Sequence, residues 1–227
     1  MIVAAFYGKC MQNRDALKRD LELIELWKEV WTKAGFVPAI IGIDRAIAHP
    51  LFDDMNRFAI RMPSVNHPMF DWLCWVRWCS VAIFACETRR GCLFTDYDVF
   101  PTRLNGEARA VIMDQACHGD IVNFDPQGGA GLLYGTELGF EIVLEKFLTY
   151  QPDGQELTFN KPHISDMIVL QRHCRKLWDA GPADLQVVCP DESDTEWKKA
   201  AFVHFGGAYR TMRHLSRAQE ILVRMKL

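Results

Sequence analysis

Residues 91–101 read GCLFTDYDVFP. Two carboxylates, Asp96 and Asp98, stand two apart where a short apolar run, Cys92–Leu93–Phe94, gives out. Residues i and i+2 of a strand share a face, so the pair is expected to converge at the strand's C-terminal end. Neighbouring carboxylates repel unless positive charge lies between them. A divalent cation held by oxygen ligands, with substrate phosphates completing its shell, meets that need. A solvated turn rich in Asp is the ordinary alternative. His204 closes a second apolar run, AAFVHF, ahead of Gly206-Gly207; standing alone it reads as a strand-end histidine. Arg77 sits inside a long apolar stretch and needs an anionic partner there, either Asp71, another carboxylate or a ligand.

These residues need elements to hold them. Residues 2–7 form an apolar run too short for a helix, which reads as a buried strand ending at Gly8. From Asn13 the apolar positions follow helical spacing up to Gly35, and residues 36–41 are a second apolar run. Strand, helix, strand at the outset predicts a βαβ unit and a parallel sheet covered by helices. Residues 44–66, with Pro50 and Pro63, suggest one short helix between loops. His67-Pro68 opens a long helix that is apolar on nearly every face and therefore central. Residues 110–113 and 120–124 read as further strands, and 123–135 as a glycine-rich loop without the spacing of a nucleotide phosphate loop. Helices are expected at 137–149 and at 165–173, the latter capped near Ser165. Short strands are expected at 185–189 and 200–205, and a basic helix at 212–227. No linker divides the chain, so residues 1–227 are expected to form a single domain.

Composition narrows the classes. The 227 residues suffice for a core without staples, and 49% are hydrophobic against 24% charged. A net charge of −3 gives no reason to expect nucleic acid or an anionic membrane as partner. The eight cysteines lack a Cys-x-x-Cys pair and several lie in apolar runs, which predicts reduced thiols, no zinc site and a cytoplasmic location. The N-terminus lacks the pattern of a signal peptide, and the apolar stretch at 69–86 is interrupted by Asp71 and Arg77, so no transmembrane segment is expected.

The segment TDYDVFP after an apolar strand, preceded by a long helix carrying an Arg, resembles the GT-A-fold glycosyltransferases. About a hundred residues later, His204-Phe205-Gly206-Gly207-Ala208-Tyr209-Arg210 resembles the His-Phe-x-Gly-x-x-Lys-Pro-Trp element of glycogenin-like retaining transferases. The sequence has Arg210 in place of Lys and lacks the Pro-Trp. Ser165-Asp166-Met167-Ile168-Val169-Leu170 resembles more loosely an Asp-Gln-Asp-x-Leu-Asn segment that faces the reacting sugar.

The resemblance implies an α/β fold of GT-A type, Rossmann-like, with a mostly parallel central sheet flanked by helices. It implies transfer of a sugar from a nucleotide-diphosphate sugar, a UDP-sugar above all, to a hydroxyl of a glycan or other acceptor, with retention. Asp96, Asp98 and His204 would hold Mn²⁺ or Mg²⁺, one carboxylate being free to contact the ribose instead. Gly207, Arg210 and Arg77 would face the diphosphate. Ala5, Phe6 and Tyr7, at the end of the first strand, would read the base, and Tyr97 would pack on the nucleotide. Asp125 and Asp166 are both candidates for the acceptor side, and the sequence does not choose between them. A non-catalytic nucleotide- or carbohydrate-binding module and a sugar-phosphate nucleotidyltransferase remain as alternatives. Gly8-Lys9-Cys10-Met11 is a poor phosphate loop for the latter.

Overall fold

Residues 2–6 are apolar on both faces because both faces of their strand are covered. In the computed structural model, β1 (Ile2–Phe6) lies between β2 (Val37–Ile41) and β3 (Cys92–Thr95) and is parallel to both. The described residues are 1–9, 14–102, 109–110, 112–115, 119–125, 131–152, 157–158, 161–176, 179–180, 185, 187–188, 201–204, 216, 219–220 and 223. The central sheet has the order β2-β1-β3-β6-β5-β9, with β5 at Ile121–Asn123, β6 at Leu132–Gly135 and β9 at Asp179–Ala180. Only β6 runs against the others in this sheet. The protein is thus a mixed α/β fold with a mostly parallel sheet flanked by helices.

Side-chain alternation divides the core in two. Val3, Ala5, Leu93, Val122 and Leu132 belong to the layer that also holds Trp27, Val30 and Trp31 of α1 (Arg14–Lys33). Ala4, Phe6, Cys92, Phe94, Ile121 and Leu133 face the opposite side. That side is covered by α2 (Ile43–Ile47), α3 (Phe52–Arg61), α4 (Pro68–Thr88) and α5 (Glu137–Leu148). Both layers follow from the period of two along each strand. Helix α4 is long and apolar enough to cross a membrane by length and composition, but most of it is buried inside the fold as a core helix. It ends through Arg89 in the left-handed region, and Gly91, with φ of +72°, turns the chain into β3. A Cβ on Gly91 would collide with the Gly135 carbonyl oxygen, so the close approach of β6 requires glycine there.

A second sheet, β10-β11-β4, combines β4 (Val99–Pro101), β10 (Val187–Val188) and β11 (Phe202–His204). A short hairpin links β7 (Leu157–Thr158) to β8 (Lys161–Pro162). Helix α6 (Asp166–Val169) continues as a π-helical turn over Leu170–Cys174. Two expectations need correction. Residues 44–66 hold the greater part of two helices, α2 and α3. The stretch expected as a strand at 110–113 is helical at 109–110 and 112–115. Ile112 is buried there and Met113 exposed; an apolar run this short does not distinguish strand from buried helix by pattern. The C-terminal helix expected at 212–227 lies largely outside the described residues; 216, 219–220 and 223 are helical.

Candidate metal centre and its cavity

Strand β3 stops at Thr95, and the chain turns at once. The Val99 N–H donates to the Asp96 carbonyl at 3.0 Å, closing a four-residue turn over Asp96–Val99. Asp96 and Asp98 therefore converge through a turn that hands the chain from the first sheet to the second, not through strand alternation. Strand β4 then pairs antiparallel with β11, Val99 opposite His204. That register sets His204 beside Asp98, with Nε2 3.3 Å from Oδ1. One ligand atom from each of Asp96, Asp98 and His204 lies within 4.8 Å of the others.

Helix α1 holds this junction from behind. The Trp31 indole N–H donates to the Val99 carbonyl at 3.1 Å, and its ring stacks on Phe202 with centroids 5.9 Å apart. Trp31 thus grips both β4 and β11, the strands next to Asp98 and carrying His204. Thr95 donates from Oγ1 to the Gly131 carbonyl at 2.9 Å. A Cβ on Gly131 would stand 3.1 Å from the Asp125 carboxylate and 3.6 Å from His204 Nδ1. Asp125, following β5, therefore belongs on the His204 side of the site, and it does not line the cavity beside Asp96 and Asp98.

Arg77 resolves differently from the nearest sequence expectation. Its partner is not Asp71 but two other carboxylates. Nη1 donates to Asp96 Oδ1 at 2.6 Å, while Nε and Nη2 donate to Asp166 Oδ2 at 3.1 and 2.7 Å. The Trp78 indole donates to the same Asp166 oxygen at 2.9 Å, and the Met167 N–H takes Oδ1 at 2.8 Å. Burial works against charge on Arg77, but Asp166 and Asp96 outweigh it and hold its pKa above the usual arginine value. Burial likewise pushes the Asp166 carboxyl up, with Arg77 and Trp78 pulling against it; four N–H donors, two of them from a guanidinium, meet its two oxygens. With 1% exposure and both oxygens engaged, Asp166 is arranged to position Arg77 rather than to take a proton from an acceptor.

The cavity, about 310 Å³, opens at the C-terminal ends of the parallel strands β1 and β3. Its wall includes Phe6, Tyr97, Arg77, Asp96, Asp98 and His204. Tyr97 meets Tyr7 edge to face at 6.0 Å. Ala5 is fully buried on the α1 side and is core, not cavity wall. Gly207 and Arg210 lie outside the described residues. Sequence reasoning missed the opposite wall, where Asn66, Phe70, Asp71, Cys74 and His163 gather. The single usable signal was the spacing of Phe70, Cys74 and Arg77 along one face of α4, with Asp71 at its edge.

The donor set suits a divalent cation. Two carboxylates and an imidazole offer hard oxygen and borderline nitrogen ligands, the mix that Mn²⁺ accepts.

A crystal structure of a glycosyltransferase involved in the glycosylation of the major capsid of PBCV-1 has the same fold. The TM-score is 0.55 at 13% identity, over 97% of this chain and 100% of that one. No curated protein matches the sequence. Residues 2–151 match a family described as a domain of unknown function, DUF8765. That span takes in the Asp96–Asp98 turn, Arg77 and all of α4 and α5, and the chain belongs to this family.

Proposed function

We propose that this protein is a metal-dependent glycosyltransferase of GT-A type. It moves a sugar from a nucleotide-diphosphate sugar, a UDP-sugar in the first place, to a hydroxyl of a glycan or other acceptor. The observation that carries the reading is the meeting of Asp96, Asp98 and His204 from two strands' ends at one cavity. The fold shared with a glycosyltransferase structure supports it. In the reaction the bond from the anomeric carbon to the diphosphate oxygen breaks, and a bond to the acceptor hydroxyl oxygen forms as that hydroxyl loses its proton. A cation held by Asp96, Asp98 and His204 would supply Lewis-acid stabilisation of the charge left on the diphosphate. Arg77 adds fixed positive charge beside Asp96, and Gly207 and Arg210 are the residues that the resemblance assigns to the diphosphate. Phe6, Tyr7 and Tyr97 offer aromatic surface to the base.

The arrangement favours retention, as in glycogenin-like transferases. An inverting enzyme needs a carboxylate base at the acceptor, and Asp166 has its oxygens taken while Asp125 stands beside His204. We place the protein in the cytoplasm, on its cysteine usage. The test is hydrolysis of UDP-sugars, because a transferase without its acceptor leaks sugar to water. The expected result is slow UDP release that requires Mn²⁺ and stops in EDTA. His204→Ala should raise the Mn²⁺ needed for half-maximal release by about tenfold or more. Release of pyrophosphate from UTP and a sugar phosphate would indicate nucleotidyl transfer instead, and no turnover of any donor would indicate a binding module.

A further inference from the structure

Helix α3 has two faces of different character. Met55, Phe58 and Ala59 are buried in the core. Arg57, Ile60 and Arg61, three and four residues apart, share the outward face and are all exposed. Ile60 is 71% exposed, more than any other large apolar side chain among the described residues. It lines a groove of about 450 Å³ together with Met62 of the following loop and Pro68, Met69 and Trp72 of α4. Met69 and its neighbour Phe70 are themselves exposed, so the apolar surface runs from α3 across the groove to the start of α4.

The polar side chains of the groove are already engaged within the protein. The Ser64 hydroxyl donates to Asp71, and the other Asp71 oxygen accepts from Asn66 Nδ2 at 3.0 Å. The Trp72 indole N–H donates to Asn56 Oδ1 at 2.8 Å. These bonds tie the loop between α3 and α4 to both helices, so the apolar surface is held in place. What its side chains offer a partner is hydrocarbon. The rim carries charge of one sign. From Met55 to Phe70 the chain has Arg57, Arg61 and His67 and no carboxylate. Arg57 pairs with Asp54, one turn back. Among the described residues no carboxylate pairs with Arg61, whose Nε donates to the Arg57 carbonyl at 3.2 Å. The net charge of −3 is a sum over the chain and does not describe this face.

We propose that this face docks on the surface of an anionic lipid bilayer. Ile60 and Met69 enter the boundary between headgroups and acyl chains, the groove between α3 and α4 takes up lipid hydrocarbon, and Arg61 meets the phosphates. A protein partner of ordinary kind forms about one hydrogen bond per 100–200 Å² of contact. The groove has no polar side chain left for such bonds, whereas a bilayer asks only for apolar area and a basic rim. The docking does not depend on which reaction the neighbouring cavity carries out. Phe70 lines that cavity and Asp71 lies in the walls of both, so a docked molecule holds the cavity beside the lipid surface.

The experiment is flotation of the full chain with two kinds of vesicle, phosphatidylcholine alone and phosphatidylcholine with about one-third phosphatidylglycerol. The wild type should float with the mixed vesicles, and less of it as salt rises. Ile60→Glu and Met69→Glu alter exposed side chains, and each should weaken binding about tenfold. Arg61→Glu should weaken binding to the mixed vesicles by about fivefold or more. Melting temperatures of the variants separate lost docking from lost fold, and Arg61→Glu, a change of surface charge alone, tests the face even where an apolar variant fails to fold. No flotation with the mixed vesicles, or wild-type flotation of folded Ile60→Glu and Arg61→Glu, overturns the proposal. Self-association of the wild type that is lost in Ile60→Glu, without vesicle binding, also overturns it and assigns the face to a second copy of the chain.

Discussion

Arg77 joins Asp96, at the turn after β3, to Asp166, at the start of α6 and 89 residues away from Arg77 in sequence. A buried carboxylate that loses its cationic partner costs about 3–5 kcal/mol. Arg77→Met should therefore lower stability by about that amount in urea denaturation, and a loss of under about 1 kcal/mol would show the pair to be loosely held. Asp96 and Asp98 drew notice in the sequence because their spacing is a local property; His204 did so only through the resemblance, since alone it reads as a strand-end histidine. The partner of Arg77 was not. Asp71 is the near carboxylate in sequence, but six residues along a helix is about 9 Å of rise. His163 was equally hidden, since its meeting with Val65 joins two loops through tertiary packing alone.

Among the elements, α1 does more than cover the sheet. Trp31 is fully buried, and its one polar atom is spent on the carbonyl of Val99. Trp31→Phe keeps an aromatic against Phe202 and leaves that carbonyl without the indole. The expected cost is about 1 kcal/mol of stability and a weaker Mn²⁺ requirement curve, shifted to higher metal, in the UDP-sugar hydrolysis assay. Unchanged metal dependence would mean that β4 and β11 hold Asp98 and His204 in place without α1. The alternating strands and the all-apolar α4 were readable because burial on both faces leaves a direct mark in composition. The second sheet was not. Its three strands have two or three residues each, and β4 pairs with a strand about a hundred residues later, a contact that periodicity does not encode.

Across the whole molecule, the core and the site respond to different variables. Burial pushes the thiols of Cys79, Cys92 and Cys174 up from 9.0 to about 12. Below pH 9 these thiols are protonated in both states and contribute no slope. Between pH 9 and 12 the unfolded chain loses protons that the folded chain keeps, so stability falls as pH rises, by about 1.4 kcal/mol per thiol per pH unit. Urea midpoints should hold steady from pH 7.5 to 8.5 and fall from pH 9 to 10.5; a flat profile to pH 10.5 would contradict the burial of these groups. On the transferase reading, the cavity instead responds to metal and nucleotide. The measurement that bears on this most directly is a thermal-shift screen of UDP, GDP, CDP and dTDP, each with Mn²⁺ and with EDTA, on the wild type and on Asp98→Ala. A ligand that binds only the native state raises the melting temperature by mass action. The expected result is a shift with UDP in Mn²⁺ that disappears in EDTA and in Asp98→Ala. Equal shifts with and without metal, or a full shift in Asp98→Ala, would contradict a metal-held diphosphate at the Asp96–Asp98–His204 site.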